Sequence, residues 1–262
     1  MSGDVFDLTG ADYWADPMRT MRAFAWDRIG DRIAGIVLGG PAEVDLDAHD
    51  TLPLIAFHSD TIAEMIRSPF HHAVVVASRL DEHDVRAAAA EIPEMHAPAP
   101  PPVPEPGFAG GPHLLDLREI LGIPWTPGQW IVRVLLRDRQ SNPLQVELFR
   151  GRERAPTAPA APEIAIEAPR VVVRGPGAEA RLSLHVRPPL FGAIPVTLVM
   201  IGSAHAGVVM QRLAVLPQEL AGTLQTDLLH NAGIAGSAPQ TFFVYAFSGQ
   251  AMAGPALMGV VD

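Results

Sequence analysis

Residues 128–149 read GQWIVRVLLRDRQSNPLQVELF. Trp130, Val132, Val134 and Leu136 fall on one side of a period of two, with Arg133 and Arg137 on the other. After a polar stretch, Leu144, Val146 and Leu148 alternate with Gln145 and Glu147. Successive side chains of an extended chain point to opposite faces, so the pattern predicts two half-buried strands joined as a hairpin through Asp138 to Pro143. The run from Arg181 to Arg187 repeats the rule, with Leu182, Leu184 and Val186 facing inward. Further strands are predicted at Arg170 to Arg174, Ile194 to Ile201, Val208 to Leu216, Leu224 to Leu229 and Thr241 to Phe247, separated by Gly and Pro turns. About eight short strands, with almost no helical period after Leu121, predict an antiparallel β-sandwich of the immunoglobulin, C2 or jelly-roll kind.

Upstream of this region the pattern is mixed. Asp16 and Pro17 read as the cap and first position of a helix, followed at helical spacing by Met18, Met21, Ala25 and Ile29. Ile33 to Leu38, Leu52 to Phe57 and Ala73 to Ala77 are short apolar runs that predict strands. Thr61 and Glu64 have the spacing of a capping box opening a short helix to Arg67. Asp81 to Ile92, with its alanine run and early acids, predicts another helix. The prolines at 98, 100, 101, 102, 104 and 106, leading into Gly110 and Gly111, predict a stiff extended linker. The expected organisation is therefore α+β: a small α/β unit over 1–96, a proline-rich linker over 97–112 and a β-sandwich domain over 113–262. No internal repeat is visible.

Composition removes whole classes of chemistry. The chain has no cysteine, which excludes a disulfide framework, a thiolate metal site and a thiol nucleophile. All 19 basic residues are arginine, so Schiff-base chemistry and lysine-dependent phosphate loops are excluded as well. A formal charge of −10 argues against a nucleic-acid partner, whose binding rests on basic neutralisation. Met1 to Ala15 carries Asp4, Asp7 and Asp12 and no basic start, so no secretory signal is expected and the predicted location is cytoplasmic. Thr241 to Val261 is uncharged over the length of a bilayer span. Gly249, Gln250, Gly254, Pro255 and Gly259 interrupt it, so two buried strands joined by a turn are predicted and no membrane partner is expected.

The candidate sites are sparse. Between His49 and His96 histidines and acids are concentrated, and His49 with Asp50 and His58 with Asp60 flank the strand predicted at Leu52 to Phe57. Imidazole and carboxylate are the ligands available to a metal in a cysteine-free chain, so these four are candidate metal ligands, although their spacing matches no diagnostic motif. No Gly-x-Ser-x-Gly elbow occurs, and no cofactor is indicated. Trp125 and Trp130 bracket Thr126-Pro127-Gly128 and are a candidate aromatic binding platform for carbohydrate or peptide. Phe242 to Phe247 is apolar on both faces, which requires cover from the rest of the chain or from a partner. The leading expectation is a non-catalytic interaction or assembly protein, with a protein partner or self-association through the β domain. The alternative is a metal-dependent enzyme built on the His/Asp residues of the N-terminal unit.

Overall fold

The computed structural model describes residues 31–81, 84–90, 107–153, 162–175, 178–187, 194–203, 208–215, 224–227 and 238–262. These are mostly β-strands in several antiparallel sheets, with few helices. None of the helices is long and apolar enough to cross a membrane. The helix expected behind Asp16 and the prolines of the expected linker lie outside the described residues. The chain divides into two compact units, Met1–Ala77 with Ala88–Pro156 and Ser78–Ala87 with Thr157–Asp262.

The strands of the first half are β1 (Gly35–Gly39), β2 (Glu43–Asp45), β3 (Pro53–Thr61), β4 (Val74–Arg79), β5 (Val85–Ala89), β6 (Phe108–Asp116), β7 (Gly128–Leu136), β8 (Arg139–Gln140) and β9 (Leu144–Phe149). Helix α1 is Ile62–Arg67, a 3-10 turn covers Phe70–His72, and helix α2 is Leu117–Leu121. One sheet has the order β1-β3-β6, and a second has β2-β9-β7-β4-β5 with β8 folded back on β7. Leu38, Leu54, Ala56 and Leu115 of the first sheet share one core with Val44, Val75, Val146, Leu148 and the predicted inward series Trp130, Val132, Val134 and Leu136 of the second. The predicted hairpin is present, but its turn is tighter: Leu136 pairs with Arg139, and Arg137 takes a φ of 55°. Helix α1 ends at Arg67, and the Thr61 hydroxyl accepts from the Glu64 N–H at 3.2 Å, as the capping spacing predicts.

Two expectations change. The alanines of Asp81 to Ile92 do not form a helix, because Val85–Ala89 is strand β5, with Val85 buried beside β4. Helix preferences of a few tenths of a kcal/mol per residue are outweighed by a strand pairing of this kind. The expected linker 97–112 also differs, since residues 108–112 belong to β6 and pair with β3 from Phe108↔Thr61 to Pro112↔Phe57. Gly110 has a packing reason to be there: a Cβ on it would lie 2.8 Å from the Cβ of Ser59 and 2.9 Å from the His58 carbonyl. Pro112 is tolerated because β6 is an edge strand.

The strands of the second half are β10 (Glu163–Glu167), β11 (Val171–Val173), β12 (Arg181–Arg187), β13 (Ile194–Gly202), β14 (Val208–Val215), β15 (Leu224–Asp227), β16 (Gln240–Ser248) and β17 (Ala251–Val261). They form a sheet of order β10-β12-β15 and another of order β11-β17-β16-β13-β14. Leu182, Leu184 and Val186 face inward as predicted, in one core with Val172, Leu198, Met200, Phe242, Val244, Met258 and Val260. Strand β16 is central in its sheet, and Phe243, Tyr245 and Phe247 on its second face are buried as well.

In the first unit, Asn142 ties β1 to the chain following β8. Its Oδ1 accepts from the Leu38 N–H at 2.8 Å, and its Nδ2 donates to the Leu38 carbonyl at 3.0 Å. Beside it the Ser141 hydroxyl accepts from the Val134 N–H at 2.9 Å. Asn142→Ala removes both bonds to Leu38 and is expected to lower stability by about 1–3 kcal/mol, read from the urea midpoint. No change in the midpoint would show that water replaces the amide.

Candidate functional site

Strand β3 is buried along both faces from Pro53 to Asp60. Side chains alternate, so His58 and Asp60 share the face of Leu54 and Ala56 and extend the core of the first unit with polar groups. His58 is 1% exposed and Asp60 3%. Strand β6 brings a third polar residue to this face, because His113 pairs with Ala56 and Gly111 with His58. Phe70 lies between the imidazoles, stacked on His113 with ring centroids 4.0 Å apart and tilted against His58 at 5.7 Å.

Charge in this cluster is handled in two ways. Arg139, on β8, forms an ion pair with Asp60, whose Oδ1 also accepts from the Thr61 N–H at 2.7 Å. The imidazoles are instead kept neutral. Burial, helped by the Arg139 charge and opposed by Glu64, pulls His58 down to about 4. Burial and the neighbouring His58 pull His113 down to about 4. His58 Nδ1 has no hydrogen-bond partner. The arrangement therefore presents a neutral imidazole with a free ring nitrogen beside a carboxylate already neutralised by arginine.

The four candidate metal ligands separate into two places. His49 and Asp50 precede β3, where His49 N–H donates to the Asp45 carbonyl in a turn and Asp50 is exposed. At about 3.3 Å per residue, the five steps from Pro53 to His58 alone span roughly 16 Å, so the two pairs do not converge. Among the described residues no group of three or more His, Asp or Glu side chains is placed to hold a metal ion. The two tryptophans also part company. Trp130 is 1% exposed in the core of the first unit and offers no platform, with its Nε1 lacking a partner. Trp125 is half-buried, and the Arg118 guanidinium lies 4.7 Å from its ring centroid while donating to the Asp50 carbonyl at 2.8 Å.

A second candidate surface lies on the second unit. Strand β11 pairs in parallel with β17, Val171 with Gly259, Val172 with Val260 and Val173 with Val261. Val172 and Val260 point into the core, so Val171, Val173, Leu257 and Val261 share the opposite face. They are 62%, 60%, 50% and 39% exposed, four of the seven large hydrophobic side chains exposed among the described residues. Scattered apolar side chains are ordinary on a surface, whereas adjacent ones on one sheet face mark contact sites. Strand β11 is also the edge of its sheet.

No protein-family model matches this sequence, and the search of curated proteins finds no significant match. His113 and Arg139 escape sequence reasoning because only the β3–β6 register and the β7–β8 turn bring them to His58, and Phe70 because it lies in the 3-10 turn that follows helix α1. The valines of β11 are legible as a strand, but nothing in their spacing reveals that the strand is an edge.

The histidine pair makes a pH prediction. Unfolded, each imidazole takes up a proton near pH 6.5, and folded each does so near 4. The unfolded chain thus binds more protons in this window, and stability falls as pH drops from 6.5 to 4. For buried His58 the difference corresponds to on the order of 3 kcal/mol. Urea midpoints measured across this range should decline, and His58→Phe, which keeps an aromatic ring but cannot titrate, should flatten the decline. An equal slope in that variant would remove His58 as its source.

Proposed function

We propose that this chain is a non-catalytic interaction or assembly protein, that its C-terminal half is an antiparallel β-sandwich of the immunoglobulin, C2 or jelly-roll kind, and that it binds a protein partner through that half. The observation that carries the reading is the contiguous exposed face of Val171, Val173, Leu257 and Val261 on an edge strand and its neighbour. Natural sheets usually blunt such an edge with charge or proline among its exposed residues, and here the exposed positions within β11 are valines. The −10 charge supports a protein rather than a nucleic-acid partner, and the lack of cysteine suits the reducing cytoplasm.

A photo-crosslinking residue, benzoyl-phenylalanine, placed at Val173 in cells is expected to yield a discrete adduct identifiable by mass spectrometry. The same residue at exposed Thr126 should yield none, and Leu257→Asp should abolish the adduct at 173. Absence of an adduct at 173, or identical adducts at both positions, would overturn the reading.

A metal-dependent enzyme built on His58 and Asp60 is the second reading. It draws on the neutral imidazole with its unpartnered Nδ1, and the Arg139 pair on Asp60 works against it. Metal content of chain purified without chelator separates the two: less than a tenth of an equivalent is expected on the interaction reading. About one equivalent, lost in His58→Ala, would establish the metal reading instead.

A further inference from the structure

Resting on the interaction reading, we propose that the partner presents an extended segment that adds as a sixth strand beside β11, with apolar side chains at alternate positions and an acidic residue at the end beside Arg170. Strand pairing is the mode that an edge offers, because main-chain groups give affinity and alternate side chains give specificity. Within β11 the alternation is already set. Val172 faces the core, while the exposed Val171 and Val173 lie on the face continued by Leu257 and Val261. An incoming strand in register would lay its own apolar side chains beside Val171 and Val173 and leave the intervening ones on the other face.

Charge selects the occupant. Arg170 and Arg174 stand at the two ends of β11, Arg170 exposed and Arg174 paired with Asp262. Backbone bonds fix both ends against β17, where the Gly259 N–H donates to the Arg170 carbonyl at 2.9 Å and the Arg174 N–H donates to the Val261 carbonyl at 2.8 Å. In a second copy of the chain pairing antiparallel about Val172, Arg170 would face Arg174 of the copy, whose charge is already met by Asp262. A strand with glutamate or aspartate at the end beside exposed Arg170 adds an opposite-charge pair that a second copy does not supply. Pro169 before β11 has no N–H to offer, so the paired segment is short, of the order of four or five residues.

The test uses the full chain and a phage-displayed library of random heptapeptides. Selection is expected to enrich segments with apolar residues at alternate positions and an acid at one end. Synthetic peptides of the enriched type should lose roughly tenfold or more in affinity for Val173→Asp and for Arg170→Glu, a loss equivalent to about 1.4 kcal/mol. Both positions are exposed, so folding of the variants is checked by circular dichroism. No enrichment, basic rather than acidic ends, or binding unchanged in both variants would overturn the inference. A dimer in sedimentation that Val173→Asp dissociates would overturn it in favour of a second copy. If adducts at Val173 appear in cells while no such peptide binds, this inference fails and the surface reading survives; if adducts are absent, the surface reading itself has failed.

Discussion

Strand β3 carries two polar side chains, His58 and Asp60, along a face that belongs to an apolar core, and much of the first unit is arranged around that constraint. Removing an unpaired carboxylate from water costs several kcal/mol, so Asp60 requires a cation and a donor. It has Arg139 and the Thr61 N–H. Arg139 reaches it because the tight turn after Leu136 folds β8 back on β7. The same cation then penalises a proton on His58, which, with burial, leaves the imidazole neutral and packed against Phe70. Burial first and the Arg139 charge second thus hold His58 neutral, and burial with the neighbouring His58 does the same for His113.

The second unit poses the opposite problem, apolar surface in excess. Strand β16 resolves it by lying third of five, between β17 and β13, with both of its faces buried. The β16–β17 pair carries a bulge between Val244 and Ala246, opposite Gly254. That glycine has a φ of 112°, and a Cβ there would lie 2.6 Å from the Val244 carbonyl, so a glycine allows the two strands to stay paired through the irregularity. At the sheet's edge, among the described residues, β11 has no such cover. The exposed apolar face is therefore on β11 and the end of β17, and not on the more hydrophobic β16.

Period-two patterning made the hairpin of Trp130 to Leu148 and the strand Arg181 to Arg187 legible, because alternation is a local property that each strand carries in its own sequence. The Thr61 cap was legible for the same reason. What the pattern could not convey was pairing between distant segments. Gly110, Gly111 and Pro112 look like the end of a linker when read locally, and their reason to form a strand is Ser59 and the His58 backbone some fifty residues earlier. Val85–Ala89 looks helical until β4 is beside it. The candidate site suffered from the same limit: His58 and Asp60 were identifiable by residue type, whereas His113 came beside them through the β3–β6 register, Arg139 through the β7–β8 turn and Phe70 through the 3-10 turn after α1. Trp125 and Trp130, adjacent in the argument from sequence, have opposite fates because Trp130 occupies an inward position of β7 and Trp125 lies before the strand begins.

Placement also bears on how the two candidate sites relate to function. A buried histidine pair with a neutral, unpartnered nitrogen acts on a ligand only if that ligand enters the core of the first unit, and Asp60, its natural charged co-ligand, is already committed to Arg139. The valine face needs no opening and no loss of an existing ion pair: Val171 and Val173 are exposed as they stand, and the Arg174–Asp262 pair lies at the strand end. Between two sites with comparable chemical plausibility, the one that binds without first breaking internal contacts spends less of its interaction energy on rearrangement, which is the general advantage of a preorganised surface. On that ground we propose the edge of the second unit, rather than the polar interior of the first, as the place where this chain meets another molecule.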